Sequence, residues 1–200
     1  MNITRQITPE EMVGEFLKAE LHSSRFRSGS LKALSMLGYK EDLLEHPDYS
    51  DKVQNEQRTE VLGLCRGWPD KELFTSFPSD TEWFVGTISI GKLAMSYRLK
   101  SSDEMTAKER LLSTTAQKLK DVGIAKNVDA KLIKQIANSI EQGVSMPPII
   151  LVAENSSGKK VLIEGHSRSI SYMFVNQKYL PEAIPAIVGL SPSMSSWAYF

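Results

Sequence analysis

The chain has little with which to staple, anchor or polarise itself. It holds one cysteine, Cys65, in 200 residues. No disulfide can therefore form within it and no cysteine-rich metal motif exists; a reducing, cytoplasmic setting fits that usage. It holds three histidines, and His22 and His46 stand at no metal-ligand spacing to His166 or to a carboxylate cluster, so both read as surface residues. Neither sign of charge is in excess, since Lys+Arg and Asp+Glu each number 24. That excludes a basic nucleic-acid footprint at the level of the whole chain, although a local patch stays open. No apolar run approaches the length needed to cross a bilayer. The opening "MNITRQITPEEMVGEF" lacks the basic region and apolar core of a secretory signal. A membrane partner is not expected. Repeats and low-complexity segments are absent too.

What is present suits a folded domain, because 41% of the residues are hydrophobic, enough for a substantial core. Residues 1–80 read as helical. Thr8 is a candidate N-cap, with Pro9 in the first helical position and Glu10 and Glu11 in the first turn. Met12, Phe16 and Ala19 share a face of that helix. A second helix carries Leu31, Leu34 and Leu37 and stops at Gly38; a third runs from about Asp51 to Cys65. The scattered cations Arg25, Arg27, Lys32, Arg58 and Arg66 read as a solvated face. Residues 82–91 form a strand broken by Gly86. A helix follows that begins near Ser102 or Asp103 and ends before Gly123. The next is capped by Asp129, striped by Leu132, Ile133, Ile136 and Ile140, and closed by Gly143. "PIILVA", "ENSSGKK" and "VLIEG" then make strand, turn and returning strand. A short helix buries Ile170, Met173 and Phe174, and "AIPAIVG" is the last strand. The whole is an α+β chain, with a mixed-sheet domain at 81–200 and a helical N-terminal extension at 1–80.

The chemistry concentrates at the strand-to-helix corner "EGHSRS", Glu164 to Ser169. The first N–H groups of a helix beginning at His166 lack intrahelical partners. Gly165 lets the backbone turn sharply. Ser167 and Ser169 add hydroxyl donors, and Arg168 adds a planar cation suited to phosphate. Together they can cradle an anion. Glu164, at the end of its strand, can hold Mg²⁺ beside a polyphosphate or accept a proton from a hydroxyl. The structural alternative is open at this point: Ser167 caps the helix, Arg168 pairs with Glu164, and His166 is a turn residue.

The order of elements around this corner resembles the ParB/sulfiredoxin superfamily. The residues that carry the resemblance are Ser139-Ile140 with Gly143, then Pro148-Ile149-Ile150-Leu151-Val152, then Leu162-Ile163-Glu164-Gly165-His166-Ser167-Arg168. They correspond to the family's S-I-x-x-G, P-I-x-V and L-I-x-G-x-x-R segments, with one extra residue before Val152. "IPAIVG" resembles the closing strand. The likeness covers residues 131–188 well and 82–190 loosely. It implies a nucleotide site at the corner, for ATP or ADP, with CTP as a further candidate. Gly165, His166, Ser167, Arg168 and Ser169 would hold phosphates, with Mg²⁺ beside Glu164. His166 replaces the cysteine of sulfiredoxins, so sulfinic-acid reduction is not expected. The 32 residues after Arg168 show no E-N-x-x-R segment, so a sequence-specific partition protein is not expected either. "EGHSR" is closest to the D-G-H-H-R-like corner of the free-serine-kinase members.

Three functions compete. The first is an enzyme that hydrolyses ATP or ADP or transfers its phosphoryl group, with Glu164 and His166 catalytic; a nuclease is a subset of this class. The second is a nucleotide-gated module, of plasmid or phage association, binding DNA or a protein through the helical N-terminal half. The third is a helical adaptor whose corner is structural. Arg98 and Lys100 are placed facing the cleft, Trp68 and Trp83 in the core, and the tail "MSSWAYF" docked on the body.

Overall fold

A computed structural model describes residues 1–100, 106–122 and 128–200. Its first element is a strand, where the sequence had suggested helix. Residues Asn2–Ile7 form β1, which pairs antiparallel with β2 (Glu82–Ser89). Period-two alternation is weak in "NITRQI" because only Ile7 is buried; pairing at the sheet edge decides its conformation, not a buried face. Thr8 then starts α1 (Pro9–Leu21) through a full capping box with Glu11, as its sequence signature requires. α2 (Arg27–Leu37) stops at Gly38, whose φ is +73°. A one-turn α3 (Asp42–Glu45) precedes α4 (Lys52–Arg66), which is capped by the Asp51 carboxylate.

After β2 come α5 (Ile90–Ala94), the two-residue β3 (Tyr97–Arg98), α6 (Ala107–Arg110) and α7 (Leu112–Val122). The expected single helix is therefore two pieces. Thr106 caps the first, and Leu111 breaks the run in extended conformation while bridging Tyr97. The expected boundaries at Ser102, Asp103 and Gly123 lie outside the described residues. α8 spans Val128–Glu141, and the side chain of Asp129, the expected cap, is also outside them. β4 (Ile149–Ala153) and β5 (Lys160–Glu164) form the hairpin read from the sequence. α9 (His166–Ser171) and β6 (Ala183–Leu190) complete the chain. α9 ends sooner than its apolar spacing suggested. Met173 and Phe174 are half-buried in the following turn, and Tyr172 and Val175 are buried with Ile170 instead.

Among the described residues the six strands make one mixed sheet in the order β1-β2-β6-β4-β5-β3. β4 runs parallel to β6, and β3 runs parallel to β5. Gly86 does not break β2. A Cβ there would sit 2.1 Å from the Asn2 carbonyl oxygen, so glycine is what lets β1 approach.

Side chains alternate across the central strands. Ile150, Val152, Val161, Ile163 and Ile187 face one core, shared with α1, α2 and α4. Ile149, Leu151, Leu162, Ala186 and Val188 face the other, shared with α7, α8 and α9. Both faces of the sheet are covered, which is why these strands read as continuous apolar runs rather than alternating ones. The helical segment is thus one layer of the molecule and not an appendage. The tail closes the same side. Trp197 and Phe200 are buried, and Trp197 packs edge-on against Phe77 at 5.1 Å. Trp83 is buried beside the half-buried Trp68.

Candidate functional site: the Glu164–Arg168 corner and its cavity

The corner is formed where β5 runs out and α9 begins. Gly165 makes the turn at φ +93°. A Cβ on it would lie 2.8 Å from Ile149 Cγ2 and 3.1 Å from Arg168 Nη2. Both the dihedral and the space therefore call for glycine.

Glu164 is 7% exposed, and both of its oxygens are in use. The Gly165 N–H donates to Oε2 at 2.5 Å, and Arg168 Nη2 donates to Oε1 at 3.2 Å. The same Nη2 donates to the Pro148 carbonyl at 3.3 Å. The structural alternative for Arg168 thus holds at the level of contact: it ties α9 to β5 and to the approach to β4. Its Nε is buried with no acceptor, a donor of the kind that seldom stays unpaired in a folded protein. Ser167 lines the cavity described below, and its carbonyl accepts from the Ser171 hydroxyl at 2.7 Å. Ser169 is fully buried beneath α9 with an unpartnered Oγ and is not part of the lining. With six residues, α9 develops only a fraction of a helix macrodipole.

A cavity of about 870 Å³ opens in front of this corner. It lies where the two helical layers meet at the β5 end of the sheet. Its apolar lining includes Leu132, Ile133 and Ile136 from α8, Leu119 from α7 and Ile170 from α9, and also Phe16 and Ala19 from α1. The stripe expected on α8 is therefore divided. Ala130, Ile133, Ala137 and Ile140 are buried, while Leu132 and Ile136 are half-buried along the cavity. The cationic and polar lining residues include Arg25, Arg66, Arg98, Arg168, Ser23 and Ser167, and Phe26 lies beneath the Arg25 and Arg66 guanidiniums.

His166 sits among these groups, half-buried. Desolvation first, then the Arg98, Arg25 and Arg66 guanidiniums, pull its pKa down to about 4. The ring is neutral at physiological pH and able to accept a hydrogen bond or a proton. An anion placed among the arginines would raise its basicity.

Arg98 is where the cleft-facing expectation put it. Its carbonyl is held by Arg110, whose Nε and Nη2 donate at 3.1 and 3.0 Å. Lys100 donates its backbone N–H to the Tyr199 carbonyl at 3.0 Å and is not in the lining.

Arg25 and Arg66 were read as part of a solvated face; Arg25 is exposed, as that reading has it, and Arg66 is half-buried, and both also line the cavity. Arg25 follows α1 in the loop His22-Ser23-Ser24-Arg25, and all four of those residues line the cavity. Arg66 ends α4, lies over the Phe26 ring at 4.0 Å, and donates from Nε to Glu20 Oε1 at 2.6 Å. Glu20 is 1% exposed. Burial pushes its pKa up to about 7 despite Arg66, and the nearby Glu164 adds to the rise. Arg58, placed on the same solvated face, is fully buried; it donates to the Asp48 carbonyl at 2.7 Å and to the Leu43 carbonyl at 3.3 Å, tying α3 and its loop to α4. His22 and His46 are exposed as expected, His22 beside Glu45 at 3.1 Å.

Among the described residues no group of three or more His, Cys, Asp or Glu converges to hold a metal ion, and no helix is long and apolar enough to cross a membrane. No known family model, curated protein or solved structure matches the chain.

Proposed function

We propose that the protein is a nucleotide-binding protein of the ParB/sulfiredoxin-like kind that hydrolyses ATP or ADP or transfers its phosphoryl group. The observation that carries this reading is that one cavity of about 870 Å³, built around the Glu164–Arg168 corner, is lined both by apolar side chains and by four arginines. A cavity of that size falls in the range of small-ligand sites. Such a lining suits both parts of a nucleotide, the base against apolar side chains such as Ile133 and Ile136 and the phosphates among Arg98, Arg25 and Ser167. The helix, hairpin, corner and closing strand follow one another in the order that the resemblance implies, which supports the fold half of the reading.

The donor set at the corner is short for Mg²⁺ held by the protein alone, because Glu164 is the one carboxylate among the described lining residues and its two oxygens already accept hydrogen bonds. A divalent ion bound with the polyphosphate would neutralise charge on the transferring group. In hydrolysis, water bonds to the terminal phosphorus as the bond to the bridging oxygen breaks. The water's proton passes to His166, neutral at working pH, or to Glu164 once Arg168 has turned toward the phosphates.

A second reading is favoured by the engagement of Glu164. If that carboxylate stays with Arg168 and the Gly165 N–H, the site binds nucleotide without turning it over and acts as a gate for a DNA or protein partner of the helical layer. Isothermal titration with ATP, ADP and CTP plus Mg²⁺, followed by phosphate-release assays on wild type and His166→Asn, separates the readings. Binding with turnover that drops at least tenfold in the variant supports the enzyme. Binding without turnover supports the gate. No heat and no thermal shift with any nucleotide removes both and leaves the structural adaptor.

A further inference from the structure

Four guanidiniums line the cavity, and they fall into two classes. Arg66 is held by Glu20, and Arg168 is held by Glu164. Each of these guanidiniums is compensated by its carboxylate, Arg168 inside the corner and Arg66 in part, because burial holds the Glu20 pKa at about 7. Arg25 and Arg98 have no carboxylate partner among the described residues; Arg25 lies over the Phe26 ring at 5.1 Å. His166 between them is uncharged at neutral pH. The described lining therefore carries two guanidiniums without a described carboxylate partner, Arg98 from β3 and Arg25 from the loop after α1.

Arg98 is fixed by the sheet. Its carbonyl accepts two hydrogen bonds from Arg110, and Arg110 also donates to the Tyr199 carbonyl at 3.3 Å. Arg25 comes from the loop between α1 and α2, in the helical layer. Both line the cavity that His166 also lines.

We infer that the cavity selects a phosphate head of net charge close to −2, clamped between Arg98 of the sheet and Arg25 of the α1–α2 loop, with Arg66 and Arg168 acting as paired, positioning residues rather than primary ligands. The inference rests on the anion-site half of the proposed function and assigns part of the ligand site to the helical layer. A phosphomonoester carries about two negative charges at neutral pH. A triphosphate carries about four and falls to about two with one divalent cation bound. A nucleoside monophosphate and a metal-bound triphosphate thus present the same net charge, whereas a bare triphosphate brings excess charge that the described lining does not neutralise. Phosphates held between the two arginines would also bridge the layers, so that the ligand stabilises the docking of α1 and α2 on the sheet.

The test is calorimetric, on the full chain at fixed ionic strength. The probes are AMP without metal, ATP with Mg²⁺, ATP with EDTA, and phenyl phosphate as a head without nucleobase or ribose. Wild type is compared with Arg25→Ala, Arg98→Ala and Arg5→Ala; Arg5 pairs with Glu11 outside the cavity and controls for loss of one positive charge. The expected result is binding of both probes of net charge near −2, weaker binding of ATP in EDTA, and an affinity loss of about 10- to 100-fold in Arg98→Ala. Arg25 is exposed, so a smaller loss of about 3- to 10-fold is expected there. Arg5→Ala should bind as wild type. The inference is overturned if ATP in EDTA binds as tightly as ATP with Mg²⁺, or if Arg25→Ala and Arg98→Ala bind as Arg5→Ala does. If phenyl phosphate binds through Arg25 and Arg98 while no nucleotide binds, the nucleotide reading falls and the clamp stands. If no phosphate of any kind binds at millimolar concentration, the clamp falls as well.

Discussion

The two layers that cover the sheet are built from different materials. The α1–α4 layer and the tail enclose an aromatic cluster. Phe74 is edge-on to Trp68 at 4.8 Å and to Phe77 at 5.5 Å, and Phe77 stacks on Trp83 at 6.2 Å. The α7–α9 layer is mainly aliphatic, with Leu112, Ile133, Ile140 and Ile170 at its centre. Large rings bury more area and lock one another's orientation. Aliphatic side chains fill the space under α7, α8 and α9 and supply Leu119, Leu132, Ile133, Ile136 and Ile170 to the cavity lining. The cavity takes charged and apolar side chains from both layers: Arg25, Arg66 and Phe16 from the aromatic one, and Arg168, Ile133, Ile136 and Ile170 from the aliphatic one.

The sharpest way to break that division is Phe74→Ala. The ring is fully buried at the centre of the aromatic cluster, and its removal should cost about 3–5 kcal/mol in denaturant unfolding. The site should be lost with the fold. A cost below about 1 kcal/mol would mean that the cluster does not organise the layer. Gly165→Ala comes next. Its φ of +93° and the 2.8 Å approach to Ile149 predict a loss of about 1–3 kcal/mol. Ligand affinity should fall with it, because the Glu164–Arg168 pair is displaced. A variant as stable as wild type would show that the corner relaxes freely.

Ile136→Ala probes the other layer. The side chain is half-buried along the cavity, so stability should change by about 1 kcal/mol or less. Affinity for a ligand with an apolar body should fall severalfold, while affinity for inorganic phosphate stays unchanged.

The smallest effect is a pH dependence hidden by cancellation. His166 has its pKa lowered from 6.5 to about 4 in the folded chain. The unfolded chain therefore binds more protons in that window, and this group's contribution is lost as pH falls. Glu20 is raised from 4.5 to about 7, so the folded chain binds more protons there and its contribution is lost as pH rises. The two slopes oppose each other between about pH 4.5 and 6.5, and wild-type stability should be nearly flat across it. Glu20→Gln should expose a loss of stability on acidification, and His166→Asn a loss on raising the pH. Melting curves of the three proteins from pH 4 to 7 read this directly; identical slopes would contradict the pairing.

Much of the fold could be read locally. Thr8 with Glu11, Asp51, and Gly38 each signal a helix end by chemistry that acts within a few residues, and the structure places the boundaries there. The β4–β5 hairpin was equally plain, since two apolar runs flank a polar, glycine-containing turn. What escaped was set by partners distant in sequence. β1 is a strand because β2 lies beside it, with Gly86 opened for Asn2. Arg58 is buried because the carbonyls of Asp48 and Leu43 close around it. Arg25 and Arg66 face the cavity because α1 and α4 dock on one face of the sheet, which no local pattern reports. The corner was visible as a chemical anomaly. The engagement of Arg168 with Glu164 was visible only as an alternative, because four-residue spacing permits that pair without requiring it.

The most direct measurement is a crystal structure of the protein grown with ATP and Mg²⁺. The account predicts phosphate oxygens within hydrogen-bonding distance of Arg98 and Arg25, with the base against Ile133 and Ile136. Nucleotide bound elsewhere, or a cavity without ligand density at saturating ATP, would contradict it.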